Sequence, residues 1–297
     1  MTALQRTGDT PEARVALATC SYFPDGDADD AGIPAAIGGD VAFAIWDDAA
    51  VDWSTYDLVV IRSTWDYQGR RDDYLAWAAR LGDRLINPYD VIAWNTDKRY
   101  LRELADAGLP VVATELVEPG EALVAPAGVE YVVKPTVSAG SRDTARFAPG
   151  EEERAAELVA AIHASGRTAM VQPYVASVDA RGETATLWFD GAFSHAIHKS
   201  ALLKPGAAPT SEVFAAETIE PREATAAERA VGERVLAFAA ERFGGPPAYA
   251  RVDLVEDADG NPMVLELELT EPSLFFAGDV GRLSQFAAAV RRRLPVR

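Results

Sequence analysis

Residues 249–271 read YARVDLVEDADGNPMVLELELTE, and this stretch decides how the rest of the chain is interpreted. Two apolar segments flank Asp259-Gly260, a dipeptide that favours a tight turn between antiparallel strands. Because side chains alternate across a strand, the charged positions of each segment share one face. The residues on these faces are Arg251, Asp253, Glu266 and Glu268. The pattern predicts a hairpin whose two charged faces meet.

Three carboxylates on one patch repel each other unless a cation lies between them. Hard divalent cations take oxygen ligands, and Mg²⁺ usually keeps phosphate oxygens in its shell. The residues therefore predict a metal site formed by Asp253, Glu266 and Glu268. The alternative interpretation is a solvated acidic strand face. It is disfavoured because leucines at the alternate positions already supply the buried face.

The composition of the 297 residues limits the classes of function. The chain carries 46 acidic and 28 basic side chains, a formal charge of −18, which argues against binding nucleic acid. No apolar run approaches the ~18 residues of a membrane span, and the start lacks the pattern of a signal peptide. Cys20 is the single cysteine and gives no disulfide or metal framework. We expect a cytoplasmic protein with a disordered lead-in at residues 1–12.

The next segment, to residue 93, shows short apolar strands that alternate with helical segments. Arg14–Thr19 and Asp57–Ile61 have the composition of buried strands, and Arg71–Leu81 has helical spacing. This alternation favours a mostly parallel sheet, in which ligands usually meet the carboxyl ends of the strands. Residues 62–67, which follow the second strand, are expected at that edge.

Side chains after the second strand are candidates for binding a zwitterionic, amino-acid-like substrate. Arg62 would bind a carboxylate and Asp66 an ammonium, with Trp65 and Tyr67 beside them. The alternative is that the two aromatic residues belong to the core and Arg62 to a structural ion pair. Glu183 is open to three interpretations: contact with the substrate, with a metal-bound phosphate, or with solvent only.

Lysine is rare in this chain, since only four of the 28 basic residues are lysines. They are Lys98, Lys134, Lys199 and Lys204. A lysine retained among many arginines suits a site where a compact point charge meets phosphate. Lys134 precedes the small-residue loop Ser138-Ala139-Gly140-Ser141, whose backbone N–H groups can approach phosphate oxygens closely.

Taken in order along the chain, these segments resemble the ATP-grasp ligases. The matching segments are Lys98, Val132-Val133-Lys134-Pro135, Gln172-Pro173-Tyr174-Val175, Arg251-Val252-Asp253 and Glu266-Leu267-Glu268. The chain departs from the family pattern at Glu268, where asparagine is common. Further likeness in residues 53–67, 94–101 and 266–274 points to the branch that includes cycloserine synthetase, an O-ureidoserine cyclo-ligase, and glutathione-synthetase-like proteins.

The resemblance implies ATP and Mg²⁺ as cofactors, with Mn²⁺ as an alternative to Mg²⁺. The implied ATP-binding residues are Lys98, Lys134, Ser138, Ala139, Gly140, Ser141, Gln172, Pro173, Tyr174, Val175, Asp179 and Lys199. Among them, the lysines would contact the phosphates, residues 172–175 would hold adenine, and Asp179 would lie near the ribose. Asp253, Glu266 and Glu268 would hold the metal. Arg251 would be catalytic, because it neutralises charge on the transferred phosphoryl group.

The resemblance also implies the fold class, which is α/β with an α+β ATP-grasp region. A small N-terminal α/β domain with a parallel sheet is expected over residues 13–93. A two-part ATP-grasp region with antiparallel sheets would follow, with a central or lid subdomain over residues 94–172 and a C-terminal subdomain over residues 173–297.

The implied reaction is ADP-forming activation of a carboxyl or carbamoyl group, followed by formation of an amide or ring C–N bond. A cyclo-ligase of antibiotic biosynthesis that acts on O-ureidoserine is the first candidate. A glutathione-synthetase-like or dipeptide-type ligase in specialised metabolism is the alternative within enzymes. An ATP-binding regulatory or scaffold protein without turnover is the alternative from another class. The expected partner is a small amino-acid-like molecule, with no membrane or nucleic acid, and a homodimer is compatible with the sequence.

Overall fold

The computed structural model describes residues 13–208 and 218–295 of the chain. The expected lead-in at residues 1–12 lies outside the described residues. The strands are β1 Arg14–Thr19, β2 Asp40–Ile45, β3 Leu58–Ile61, β4 Leu85–Ile86, β5 Glu115–Val117, β6 Tyr131–Pro135, β7 Ala145–Phe147, β8 Ala169–Pro173, β9 Glu183–Phe189, β10 Ala192–Lys199, β11 Ile219–Arg222, β12 Tyr249–Glu256 and β13 Pro262–Glu268. The α-helices are α1 Ile33–Ile37, α2 Arg71–Leu81, α3 Tyr89–Asn95, α4 Tyr100–Asp106, α5 Glu152–Ala164, α6 Ser177–Arg181, α7 Ala226–Phe243 and α8 Val280–Arg291.

The N-terminal sheet has the strand order β2-β1-β3-β4, and all its neighbours are parallel. Every residue of β3 is buried, which is the pattern of a strand covered on both faces. The parallel sheet predicted from the alternation of strands and helices is therefore confirmed. Its carboxyl edge, after Ile61, carries residues 62–67 as expected.

Two antiparallel sheets contain the remaining strands of the described chain, β5 to β13. The larger has the order β11-β10-β9-β12-β13, and the smaller has the order β5-β8-β6-β7. Their neighbours all run antiparallel, so the predicted fold class is confirmed. The predicted domain boundaries at residues 93 and 172 stay a prediction. No helix among residues 13–208 and 218–295 is long and apolar enough to span a membrane.

The segment around Lys98 consists of two short helices joined by a turn. Helix α3 ends at Asn95, Lys98 lies in the turn that follows, and α4 begins at Tyr100. The side chain of Asn95 is used elsewhere, because its amide donates to the Leu267 carbonyl at 2.8 Å and its oxygen accepts from the Leu269 N–H at 2.6 Å. Asn95 therefore anchors β13 to the end of α3.

The N-terminal sheet and the larger antiparallel sheet share one core. Leu17 and Val60 belong to the same buried cluster as Leu187 and Phe189, and Phe286 of α8 completes it. Burial of large apolar side chains of this kind contributes about 1.5–3 kcal/mol each. The two sheets are therefore held in a fixed relation, which matters because both contribute residues to one cavity.

Polar side chains in this interface connect the two sheets directly. The fully buried Asn87 donates to the carbonyls of Tyr249 and Leu269 at 3.1 and 2.7 Å, and accepts from the Ala248 N–H at 2.7 Å. Arg62 is also buried and forms an ion pair with Asp30 at 2.8 Å. These contacts place the carboxyl edge of the parallel sheet against the ends of β12 and β13.

Replacing Asn87 with alanine is expected to lower the free energy of unfolding by about 3 kcal/mol, because it leaves three buried backbone groups without partners. Urea denaturation measures the loss. The matched control is Asn261→Ala at an exposed hairpin turn, where less than about 1 kcal/mol is expected. Equal losses for the two variants would show that Asn87 does not connect the sheets.

Candidate active site

A cavity of about 430 Å³ lies where the two antiparallel sheets and the edge of the parallel sheet meet. Most residues predicted for ATP, metal and substrate line it. They are Trp65, Tyr67, Lys98, Lys134, Ser138, Ala139, Gly140, Ser141, Gln172, Pro173, Tyr174, Val175, Glu183, Lys199, Arg251, Glu266 and Glu268. Arg62, Asp66, Asp179 and Asp253 are not part of the lining. Residues from distant parts of the sequence are thus brought to one site.

The β12–β13 hairpin brings the two charged faces together, as the alternation predicts. Arg251 pairs with Glu268, and Asp253 pairs with Glu266 across the two strands. The Arg251 guanidinium donates to both oxygens of Asp253, at 2.8 and 3.0 Å, and also to Glu268. One arginine therefore lies between two carboxylates, which offsets the repulsion that the sequence pattern implied.

Two lysines engage the remaining carboxylates of the cavity. Lys98 Nζ lies 3.0 Å from Glu266 and donates to the Ser138 carbonyl at 2.8 Å. Lys199 Nζ lies 3.0 Å from Glu183 and 3.2 Å from Asp253. Because Lys98 also contacts residue 138, it fixes the start of the small-residue loop beside the acidic strands.

Lys134 differs from the other cavity lysines, because within residues 13–208 and 218–295 its ammonium has no carboxylate partner and no hydrogen bond. It lies on β6, directly before the 138–141 loop. Burial lowers the pKa of Lys134 below its ordinary value, and the charge of Glu266 opposes this effect only in part. A cation held in a cavity without a counter-charge is a ready binding site for an anion.

The end of the cavity next to β8 is mainly apolar. Val132, Leu202, Val255 and Leu265 line it around residues 172–175. The Gln172 amide donates to the Thr114 hydroxyl at 2.9 Å. A flat apolar ring fits between such walls, which agrees with the adenine position implied by the resemblance.

Asp179 lies outside the cavity, unlike the ribose-facing position expected for it. The Arg146 guanidinium donates to both of its oxygens at 2.8 and 3.0 Å, and the Tyr174 hydroxyl donates at 2.6 Å. Arg146 also lies 3.5 Å from the centre of the Tyr174 ring and pairs with Glu130. Asp179 thus supports the residue 172–175 segment from behind, through Arg146.

Arg62 and Asp66 also lie away from the cavity, which corrects their expected roles in substrate binding. Arg62 pairs with Asp30 and donates to the Pro272 carbonyl at 3.1 Å, so the structural ion-pair interpretation describes it. Asp66 accepts from the Trp46 indole at 2.8 Å and lies 3.6 Å from Arg70. Trp65 and Tyr67 do line the cavity, although both are largely buried.

The predicted metal ligands are adjacent, but in the described residues no three Asp, Glu, His or Cys side chains converge in the arrangement of a formed metal site. Each carboxylate instead faces a cation of the chain. The donor chemistry nonetheless fits a hard divalent ion, because Asp253, Glu266 and Glu268 offer carboxylate oxygens in a partly desolvated place. Burial raises the pKa of Glu268 to about 8, against the lowering effect of Arg251.

Sequence reasoning missed the residues that follow β13. We call residues 269–279 the post-β13 loop, and its members Glu271, Ser273 and Phe275 line the cavity. The Trp65 indole donates to the Glu271 carbonyl at 2.9 Å, which joins this loop to the parallel sheet. Glu271 belongs to the stretch 249–271, but it lies beyond the alternating strand pattern that identified the other carboxylates.

The Glu271 side chain is a buried carboxylate, with 8% of its surface exposed. Burial raises its pKa to about 7, although hydrogen bonding to Tyr67 and the charge of Lys98 lower it. The repulsion from Glu266 raises it further. The folded protein therefore binds a proton at Glu271 more tightly than the unfolded chain does.

This shift predicts a pH dependence of stability in the nucleotide-free protein. Between the ordinary pKa of 4.5 and about 7, the folded state retains a proton that the unfolded chain has lost, so stability falls as pH rises. Glu271→Gln removes this dependence. From pH 5 to 8 the variant is expected to gain about 2 kcal/mol relative to the wild type in urea denaturation.

The control for this experiment is Glu118→Gln, because hydrogen bonding to Arg99 lowers the pKa of Glu118 to about 2. Its titration lies below the tested range, so its stability difference from the wild type should stay constant from pH 5 to 8. Parallel curves for Glu271→Gln and the wild type would contradict the shifted pKa of Glu271.

Comparison with known proteins agrees with this geometry. Residues 15–87 match the family model of the N-terminal domain of the D-cycloserine synthetase DcsG. The chain is 42% identical over 262 residues to the cycloserine biosynthesis protein DcsG of Streptomyces lavendulae, covering 84% of this chain and 87% of that protein.

Solved structures extend the likeness to the whole fold. The crystal structure of the D-cycloserine synthetase DcsG superposes with a TM-score of 0.87 at 38% identity, covering 95% of this chain and all of that one. The ATP-grasp ligase PsnB, in a complex with Mg and ADP, shares the fold alone, with a TM-score of 0.60 at 16% identity and 95% and 99% coverage. The chain therefore belongs to the D-cycloserine synthetase family of ATP-grasp ligases.

Proposed function

We propose that this enzyme is an ADP-forming carbon–nitrogen ligase that closes the ring of O-ureidoserine to give cycloserine. The observation that carries the proposal is a single cavity in which Lys134 is left without a counter-charge beside Arg251 and the acidic β13 positions. The identity to cycloserine biosynthesis protein DcsG supports the choice of substrate. The fold supports ATP as the second substrate.

In this proposal the lysines bind the phosphates of ATP. Lys134 binds them without breaking an ion pair, whereas Lys98 turns from Glu266 and Lys199 turns from Glu183 and Asp253. The 138–141 loop supplies backbone N–H groups at the same place. The apolar walls around residues 172–175 take the adenine ring. These contacts position the phosphoryl group, which is the main requirement of phosphoryl transfer.

Asp253, Glu266 and Glu268 would hold Mg²⁺, which supplies neutralisation of charge on the phosphate oxygens when bound. Arg251 lies among these carboxylates and donates to the Ser273 carbonyl at 3.4 Å, so it links them to the post-β13 loop. Its guanidinium is placed to neutralise charge on the substrate oxygen that accepts the phosphoryl group.

The chemistry balances without a nucleophilic side chain. A carboxyl or carbamoyl oxygen of the substrate takes the γ-phosphoryl group, and ADP leaves. For O-ureidoserine, the nitrogen bonded to the side-chain oxygen then attacks the activated carboxyl carbon, and the C–O bond to phosphate breaks with release of phosphate. Water cleaves the N–carbamoyl bond, and the products are cycloserine, carbon dioxide and ammonia. The protein therefore needs to orient the groups and stabilise charge, which agrees with a cavity built from paired charges.

Lys134→Met is expected to lower kcat/KM for ATP about 100-fold, because a charged phosphate contact is lost. ADP release with Mg-ATP and O-ureidoserine measures it. The matched control is Lys204→Met on an exposed turn, which should retain wild-type kinetics.

If the wild type releases no ADP with O-ureidoserine but does so with pairs of amino acids, the dipeptide-ligase alternative holds. Binding of Mg-ATP without turnover of any substrate would instead indicate a scaffold.

Glu266→Gln is expected to raise the Mg²⁺ concentration needed for half-maximal activity by about tenfold or more, because even outer partners of metal ligands contribute about 10–100-fold to affinity. A Mg²⁺ titration at saturating ATP and substrate measures the change. Glu233→Gln on the exposed face of α7 is the control and should leave the requirement unchanged. An unaltered titration for Glu266→Gln would remove Glu266 from the metal site.

A further inference from the structure

The charges that line the cavity, or lie directly behind it, can be sorted by whether an opposite charge accompanies them. Three cations are paired: Lys98 with Glu266, Lys199 with Glu183 and Asp253, and Arg251 with Asp253 and Glu268. Within residues 13–208 and 218–295, two charged side chains of the cavity have no ion pair. They are Lys134 and Glu271. Lys134 has a role in the proposed function, whereas Glu271 has none.

Burial of the Glu271 carboxylate in this position is energetically unfavourable. The residue is more than nine-tenths buried, and no arginine or lysine of the described chain forms an ion pair with it. Burial of a carboxylate without a counter-charge is unfavourable, and a neutral glutamine would fill the same space without this penalty. A strained ionisable group in a cleft is characteristic of a ligand-binding position.

The surroundings of Glu271 show where a ligand would lie. Tyr67, which follows β3, lines the cavity together with Glu271, and the Trp65 indole donates to the Glu271 carbonyl at 2.9 Å. Glu271 lines the same cavity as Lys98 and Glu266. The backbone of Glu271 is therefore held in place, and the residue borders the cavity in which the proposed reaction occurs.

Arg251 lies close to the same loop. Its guanidinium donates to the Ser273 carbonyl, two residues after Glu271. A substrate that presents its carboxyl group to Arg251 therefore places the substituents of its α-carbon next to the post-β13 loop. The group that would neutralise Glu271 at this position is a cation with hydrogen-bond donors, which is the description of an α-ammonium group.

We propose that Glu271 binds the α-ammonium group of the amino-acid substrate and makes the enzyme selective for it. This inference rests on the proposed function and adds to it the residue that recognises the amine. It also replaces the expected role of Asp66, whose oxygens face Trp46 and Arg70 outside the cavity.

The test compares two substrates that differ only in the amino group. The first is O-ureido-D-serine, and the second is 3-(ureidooxy)propanoate, in which hydrogen replaces the α-ammonium group. Wild type, Glu271→Gln and Asp66→Asn are assayed for ADP release with Mg-ATP. The wild type is expected to prefer the amine-bearing substrate about 100-fold in kcat/KM, because a buried charge left unpaired is strongly unfavourable.

Glu271→Gln is expected to lose most of this preference while its kcat/KM for the propanoate changes little. Asp66→Asn should keep the preference. A wild type without preference, an equal loss on both substrates in Glu271→Gln, or loss of the preference in Asp66→Asn would each overturn the proposal. A stability of Glu271→Gln at pH 8 equal to or above that of the wild type shows that lost selectivity does not come from unfolding.

A binding experiment separates this proposal from the proposed function. If neither compound supports ADP release, the proposed reaction fails, and the ammonium site is then decided by calorimetry with D-cycloserine and its des-amino analogue isoxazolidin-3-one. Tighter binding of D-cycloserine to the wild type, with the difference lost in Glu271→Gln, supports the site. Equal binding of the two compounds to the wild type overturns it.

Discussion

The structure depends on keeping several carboxylates close together inside a cavity. The register of the β12–β13 hairpin places Asp253 and Glu268 on either side of Arg251, and Lys98 and Lys199 engage the remaining acids. Without these cations the like charges would repel at short range in a partly desolvated place. These three basic side chains are therefore structural partners of the acidic residues as well as candidate ligands of phosphate.

Trp65 and Tyr67 meet the post-β13 loop at one end of the cavity, because the parallel sheet and the larger antiparallel sheet are fixed against each other. Asn87 and Asn95 bind the backbone around β12 and β13, and the buried Arg62–Asp30 pair reaches the Pro272 carbonyl. The post-β13 loop is thereby held against the carboxyl edge of the parallel sheet. Trp65 and Tyr67, which follow β3, and Glu271, which follows β13, therefore line the same cavity.

Features of the fold and the site that depend on local periodicity could be predicted from the sequence. Alternation along β12 and β13 predicted that their charged faces meet, and the small-residue loop after Lys134, predicted as a phosphate-binding element, lines the cavity. The sequence could not predict partners that meet only through the fold. Asp179 accepts hydrogen bonds from Arg146, and Arg62 forms an ion pair with Asp30. Glu271 follows the last strand position, where no periodic pattern applies. Residue type alone did not distinguish a charge that faces the cavity from one that supports it.

The pairing pattern links metal, nucleotide and substrate in the proposed function. Glu266 and Glu268 can take a divalent ion only if Lys98 and Arg251 release them, and these cations can turn to phosphate only if the carboxylates gain another partner. The two exchanges favour each other, because each removes the unpaired charge that the other would create. Lys134 and Glu271 stand outside this exchange, since neither must break an ion pair to bind. In the proposed function they therefore give the cavity a fixed polarity, in which Lys134 on β6 would bind an anion and Glu271 on the post-β13 loop a cation.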